Sequence, residues 1–172
     1  MSRSVHQMPP ELRELHQLEF PYASGKGIDF KPYPDFYSPD KVRSWLQAWT
    51  GNPSVGGSDY LVFGQDGTGG LAAFWLTRSA ASILEQPVVF FGSEGAVGVV
   101  ARNFADYLWL LAGGLGPFEA IRSPHAERVA QPQFVRFAEA HAPASKKSPS
   151  DVLAAARAEF PNYQQSVFQL FG

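Results

Sequence analysis

Residues 63–70 read Phe-Gly-Gln-Asp-Gly-Thr-Gly-Gly, and the apolar runs on either side of this loop decide the fold class. A phosphate-binding loop needs a lysine and a Ser/Thr at fixed distance after its second glycine, then a helix whose first amides face the phosphate. Neither follows. Instead Leu71-Ala72-Ala73-Phe74-Trp75-Leu76-Thr77 is aromatic and apolar and bounded by turn residues, the composition of a strand. Residues 59–63 have the same character, so the loop is read as a hairpin connection. Asp66-Gly67 and Gly69-Gly70 can supply positive φ at low steric cost.

Working outward, residues 87–91 and 97–101 are two further strand candidates, separated by the turn Gly92-Ser93-Glu94-Gly95. Short connections favour antiparallel pairing of sequential neighbours. Before the strands, residues 9–18 carry Leu12, Leu15 and Leu18 at helical spacing, and residues 21–37 form an irregular Pro/Gly/Tyr-rich connection. Ser38-Pro39-Asp40 has the composition of an N-cap, first position and acidic first turn, for a helix through Val42, Trp45, Leu46 and Trp49 that stops near Gly51. After the strands, Asn103 is placed to cap a helix over 104–115. Beyond Pro117 the pattern weakens to a helix at 130–142, a linker at 143–149, and a helix at 151–160 capped by Ser150 and ended or restarted by Pro161. Helices, then strands, then helices predict one α+β domain over residues 1–172: a mostly antiparallel sheet of about four or more strands with helices packed against it. Its N-terminal helices lie within 9–50 and a C-terminal helical extension spans 118–172.

Two consequences follow for a site. In a meander, alternate connections lie at the same end of the sheet, so loop 64–70 and turn 92–95 should be neighbours, with Asp66 and Glu94 either as ordinary turn acids or as an acidic lip. The strand at 71–77 is apolar on both faces, Leu71, Ala73 and Trp75 on one and Ala72, Phe74 and Leu76 on the other. Such a strand is covered on both sides by the chain's own helices, or exposes a patch that a partner covers.

Composition narrows the function classes. Hydrophobic content of 45% with 17% charged residues is that of a folded domain. A formal charge of −2 with 14 scattered Lys and Arg residues argues against a general nucleic-acid binder, which needs a clustered basic stripe. The chain has no cysteine, which excludes disulfides and thiolate chemistry. The first ten residues lack the apolar core of a leader peptide, and the longest uncharged apolar run, 107–118, has three glycines and a proline and falls short of the about 20 residues of a spanning helix. A soluble cytoplasmic protein, off the membrane, is the expectation.

Gly92-Ser93-Glu94-Gly95 lacks the residue that a nucleophile elbow has between its glycine and serine, and no helix follows directly. His6, His16, His125 and His141 are widely separated and carry no metal-ligand motif. Asp66 and Glu94 have the residue types of a glycosidase carboxylate pair, but no further pattern supports one. The aromatics Tyr60, Phe74, Trp75, Phe90 and Phe91 have no interleaved Lys or Arg and are read as core rather than as base-stacking platforms. No enzymatic activity, metal or cofactor is therefore expected.

The run "DYLVFGQDGTGGLAAFWL", continued by "QPVVFFGSEGAVGVVARNFADYLWLLA", resembles the SUKH superfamily, which includes the yeast Smi/Knr cell-wall synthesis regulators and many bacterial immunity proteins. The likeness lies in the order of features: a strand, Phe63-Gly64, the Asp66-Gly67-Thr68-Gly69 turn, an aromatic strand, Pro87-Val88-Val89, the Ser93-Glu94-Gly95 turn, and Asn103-Phe104 opening a helix with Tyr107-Leu108. It covers residues 59–112, about a third of the chain. The family's usual N-terminal Leu-Pro-x-x-Tyr helix is present only as a degenerate Pro34-Asp35-Phe36-Tyr37 followed by Trp45-Leu46, and the last third has no counterpart. The resemblance implies a non-enzymatic binding role, with a cognate toxin, often a nuclease, as partner. Asp66, Thr68, Trp75, Phe91, Ser93 and Glu94 are the residues expected to contact it. The alternative is a regulatory domain that binds a small ligand between the sheet and the helix from Ser38.

Overall fold

The computed structural model describes residues 6–172; the first five residues of the stretch read for a leader peptide lie outside the described residues. The fold is α+β, and five strands form one antiparallel meander: β1 (Lys31–Pro32), β2 (Tyr60–Gln65), β3 (Leu71–Trp75), β4 (Val88–Phe91) and β5 (Val97–Ala101). Each pairs with its neighbours in the chain, as short connections dictate. The short edge strand β1 arises within the connection read as irregular. Its Lys31 and Pro32 pair with Gln65 and Gly64, and a proline is tolerated there because it sits on an edge.

Among the described residues seven α-helices pack around the sheet: α1 (Pro10–Leu15), α2 (Pro39–Thr50), α3 (Phe104–Ala112), α4 (Pro117–Arg122), α5 (Pro132–His141), α6 (Pro149–Glu159) and α7 (Tyr163–Phe168). Their ends follow the capping chemistry. Ser38 Oγ accepts from the Lys41 amide at 3.2 Å, and Gly51 closes α2 in the left-handed region at φ 68°. Asn103 Oδ1 accepts from the Asp106 amide at 2.9 Å. One cap differs from expectation: α6 is capped by Ser148, whose Oγ accepts from Asp151 N, because Pro149 occupies the first helical position and leaves Ser150 inside the helix. Pro161 separates α6 from α7 and so restarts the helix.

Both sheet faces are covered by the chain itself. Leu61, Phe63, Ala72, Phe74, Val88, Phe90 and Val100 face a core completed by Leu12 and Leu15 of α1, by α3, by Ala120 of α4, and by Phe134 and Ala138 of α5. Val62, Leu71, Ala73, Val89, Phe91, Val97 and Val99 face a second core closed by Val42 and Leu46 of α2, Ala156 of α6, and Tyr163 and Val167 of α7. The C-terminal region wraps the β5 edge: Val152 and Leu153 of α6 enter the first core while Ala156 enters the second, and α6 and α7 both pack on β5. This protects an edge that would otherwise offer unpaired amides and carbonyls to another chain.

One irregularity shapes the loop end of β2. The register between β2 and β3 shifts between Val62 and Gly64, a bulge that re-aims the strand. Gly64 is required by contact: a Cβ there would lie 2.1 Å from the tip of the Phe30 ring. Among the described residues no helix is long and apolar enough to cross a membrane.

Candidate functional site

The loop that opened the sequence reading is a turn with a buried acid at its centre. Asp66 is 1% exposed. Its Oδ1 accepts from the amides of Thr68 (2.5 Å) and Gly70 (3.4 Å) and from the Thr68 hydroxyl (2.5 Å), the pattern of a carboxylate closing a turn on its own backbone. The Gly69 amide donates to the Asp66 carbonyl at 3.1 Å. Of the loop glycines only Gly69 takes positive φ, at 93°. Gly70 is needed for a different reason, since a Cβ on it would meet Asp66 Oδ2 at 2.6 Å and the Phe90 ring at 2.8 Å. A second acid braces the turn from outside: Asp29 Oδ1 accepts from the Gly67 amide at 2.8 Å.

The expected neighbourhood of the two loops is present. Ser93 Oγ donates to Thr68 Oγ1 at 2.9 Å across the gap between the β2–β3 and β4–β5 connections. The acidic lip is corrected, however. Asp66 faces inward and is consumed by its turn, whereas Glu94, Thr68 and Ser93 are exposed. The two carboxylates therefore look into different environments and do not form a facing pair.

Trp75 and Phe91 are corrected as partner contacts. Phe91 is 1% exposed and packs edge-on against Trp49 (5.3 Å) and Tyr60 (4.9 Å). Trp75 is mostly covered by Phe160 (5.2 Å) and Tyr163 (4.6 Å) from the C-terminal helices. The chain carries no local signal for this, because Phe160 and Tyr163 lie 85 and 88 positions after Trp75, and Trp49 and Tyr60 lie 42 and 31 positions before Phe91.

A small cavity of about 120 Å³ opens beside the exposed turns. Phe90, Phe118 and Ile121 form its apolar wall, with Thr68, Ser93 and Glu94 at one rim and Arg122 at the other. The Arg122 guanidinium lies 5.9 Å above the Phe118 ring, a cation–π contact. Phe118, Ile121 and Arg122 belong to α4, which sequence reading missed. A signal for it exists: Gly116-Pro117 followed by Glu119 at the third helical position, with Phe118 and Ile121 three apart.

Glu119 fixes α4 in place. It is 4% exposed; Oε1 accepts from the Gly116 amide and Oε2 from the Asp29 amide, both at 3.0 Å. Burial pushes its carboxyl above the ordinary value, opposed by these amides and by Arg128. Through Asp29 the α4 start and the glycine loop are tied together, so the cavity is built on braced elements rather than on free loops.

A second hollow is lined by Met8, Arg13, His16, Gln17, Tyr33 and Pro34. His16, packed near Phe30 and Phe63, donates from Nδ1 to the Tyr33 carbonyl at 2.9 Å. Nε2 is buried without a partner among the described residues, and burial lowers the imidazole to about 4. A third, of about 510 Å³, borders the α2 N-terminus at Tyr37, Ser38, Lys41 and Trp45. The space directly between α2 and the sheet is filled by Val42 and Leu46, so it holds no cleft. Among the described residues no group of three or more His, Cys, Asp or Glu side chains is placed to hold a metal ion. No protein-family model, curated protein or solved structure matches the chain.

Proposed function

We propose that this chain is a non-enzymatic protein-binding module of the SUKH type, a bacterial cytoplasmic immunity protein that neutralises a cognate toxin. The observation that carries the reading is the rigid exposed rim of Thr68, Ser93 and Glu94, locked across two loops by the Ser93–Thr68 hydrogen bond and set beside an apolar cavity. An anchoring pocket next to a charged rim is the arrangement in which a buried contact supplies affinity and the charge steers encounter. The order of features that resembles the SUKH superfamily also supports it, since residues 59–112 make four consecutive antiparallel strands and the helix after them.

The test is capture of proteins from the cells that make this chain, using the tagged chain and its Glu94→Lys variant, with mass spectrometry of what binds. One near-stoichiometric basic partner held by the wild type and lost by the variant, whose toxicity the chain suppresses on co-expression, is the expected result. Equal capture by both removes the rim from the interface. A partner that is not toxic rejects the immunity role.

The alternative, a regulatory small-ligand domain, draws support from the hollow at Tyr37, Ser38, Lys41 and Trp45. It predicts that a small molecule alone raises the melting temperature, and that Lys41→Ala abolishes the rise.

A further inference from the structure

The cavity beside the two turns has a directional hydrogen-bond chain leading into it. Asp66 Oδ1 takes two backbone N–H groups, which can only donate, so the Thr68 hydroxyl beside them donates its proton to the same oxygen. With that proton used, Thr68 Oγ1 is left to accept, and Ser93 spends its own proton on it at 2.9 Å. Both hydroxyls therefore turn their protons inward along one line ending at the buried Asp66. What they present outward is lone pairs, beside the exposed Glu94 carboxylate.

The side chains of Thr68, Ser93 and Glu94 thus face the cavity as acceptors. An ammonium group carries three donors and no acceptor, and matches such a rim. The wall behind it is apolar, formed by Phe90, Phe118 and Ile121. At about 120 Å³ the space is well below the roughly 300 Å³ at which drug-sized ligands are enclosed; it suits one side chain. Lysine combines a flexible four-carbon stem with a compact ammonium. Arginine is a poorer match, because its planar fork wants a bidentate acceptor. Glu94 makes no ion pair among the described residues, so its charge is available. Arg122 lines the same cavity and opposes a cation there; its guanidinium lies over the Phe118 ring and makes no ion pair with Glu94 among the described residues.

We infer that this cavity is a lysine-reading pocket: the partner inserts one lysine, its stem against Phe118 and Ile121, its ammonium held by Glu94, Ser93 and Thr68. This deepens the protein-binding reading and rests on it for the source of the lysine, a residue of the partner rather than a free metabolite.

The experiment is an amide-resolved NMR titration of the full chain with Nα-acetyl-lysine N-methylamide. The norleucine, arginine and glutamate analogues serve as controls. The expected result is saturable shifts confined to Thr68, Ser93, Glu94 and Ile121, with a Kd on the order of 10 mM, as a single side chain allows. Norleucine and glutamate should give none. Glu94→Gln should weaken lysine binding about fivefold and Arg122→Gln should tighten it, as expected for exposed charges. Free lysine that binds more tightly than the blocked form would overturn the partner as source. No saturable shift, or equal response to norleucine or glutamate, would overturn the pocket itself. If the blocked lysine fails while Glu94→Lys still abolishes partner capture, the lysine inference falls and the binding module stands. If the blocked lysine binds and no protein partner is captured, the module reading and the partner as source fall together, and only an ammonium pocket remains.

Discussion

Replacing Asp66 by alanine should destabilise the whole domain, although the side chain it removes is not exposed. The carboxylate closes three hydrogen bonds on its own turn through one oxygen, and the side chain is 1% exposed, so water cannot replace them. Hydrogen bonds to charged groups each contribute about 1.5–3 kcal/mol. Three bonds on one oxygen do not add, because losing one relaxes the others. The other oxygen, Oδ2, is buried with no partner, and its removal relieves part of the cost of burying the group. Together these place the loss at about 2–4 kcal/mol, or about 5–15 °C in melting temperature for a chain of this size. Asp66→Asn keeps an acceptor at the Oδ1 position and should lose about half as much. Urea unfolding followed by tryptophan fluorescence reads the change as a lower midpoint with unchanged slope. A variant within about 0.5 kcal/mol of wild type would refute the argument that this acid is the turn's internal brace.

Three further outcomes are expected. His16 titrates at about 4 in the fold against 6.5 in the unfolded chain; between those values the unfolded state binds more protons, so stability should fall as pH drops from 6.5 to 4, by at most about 3 kcal/mol. His16→Gln should flatten that part of the pH profile, measured by denaturation at closely spaced pH values, and an unchanged slope would contradict the assignment. Asp106 is 1% exposed and is held by Lys147 at 2.5 Å and Arg102 at 3.4 Å; Lys147→Met should cost about 1–3 kcal/mol by leaving a buried charge half-paired, and Asp106→Asn in the same background should recover part of it. Gln86, 2% exposed, accepts from the Thr77 and Arg78 amides and donates to the Arg78 carbonyl at 2.7 Å; Gln86→Leu should cost about 2 kcal/mol and raise hydrogen exchange at residues 77–86, and normal exchange there would show the loop has other support.

Much of the architecture was legible along the chain because its signals are local. Alternation over residues 71–76 assigned each side chain to the face it occupies, Leu71 and Ala73 to one core and Ala72 and Phe74 to the other. Ser38 and Asn103 announced the starts of α2 and α3 because capping uses a side chain and an amide three residues apart. The order of short connections sufficed to put the 66–70 and 92–95 turns together, which the Ser93–Thr68 bond bears out. Strand β1 escaped notice because two residues with a proline have no periodicity, and α4 because Phe118 and Ile121 make only a single pair at helical spacing, where α1 has a run of three leucines.

The sequence by itself determined the meander, its two apolar faces and the identity of the loops at one end, since each rests on side-chain alternation, turn chemistry or connection length. Only the tertiary structure decided what those loops present. Whether an acid in a glycine turn faces water or its own amides depends on Asp29, which braces Gly67 from 38 residues away, and on Phe90, which packs beside Gly70. Whether Trp75 is a binding surface depends on Phe160 and Tyr163 returning over it. The pocket itself exists because Glu119 holds α4 beside strands β4 and β5; its walls come from segments with no mutual signal in the chain, brought together by burial alone.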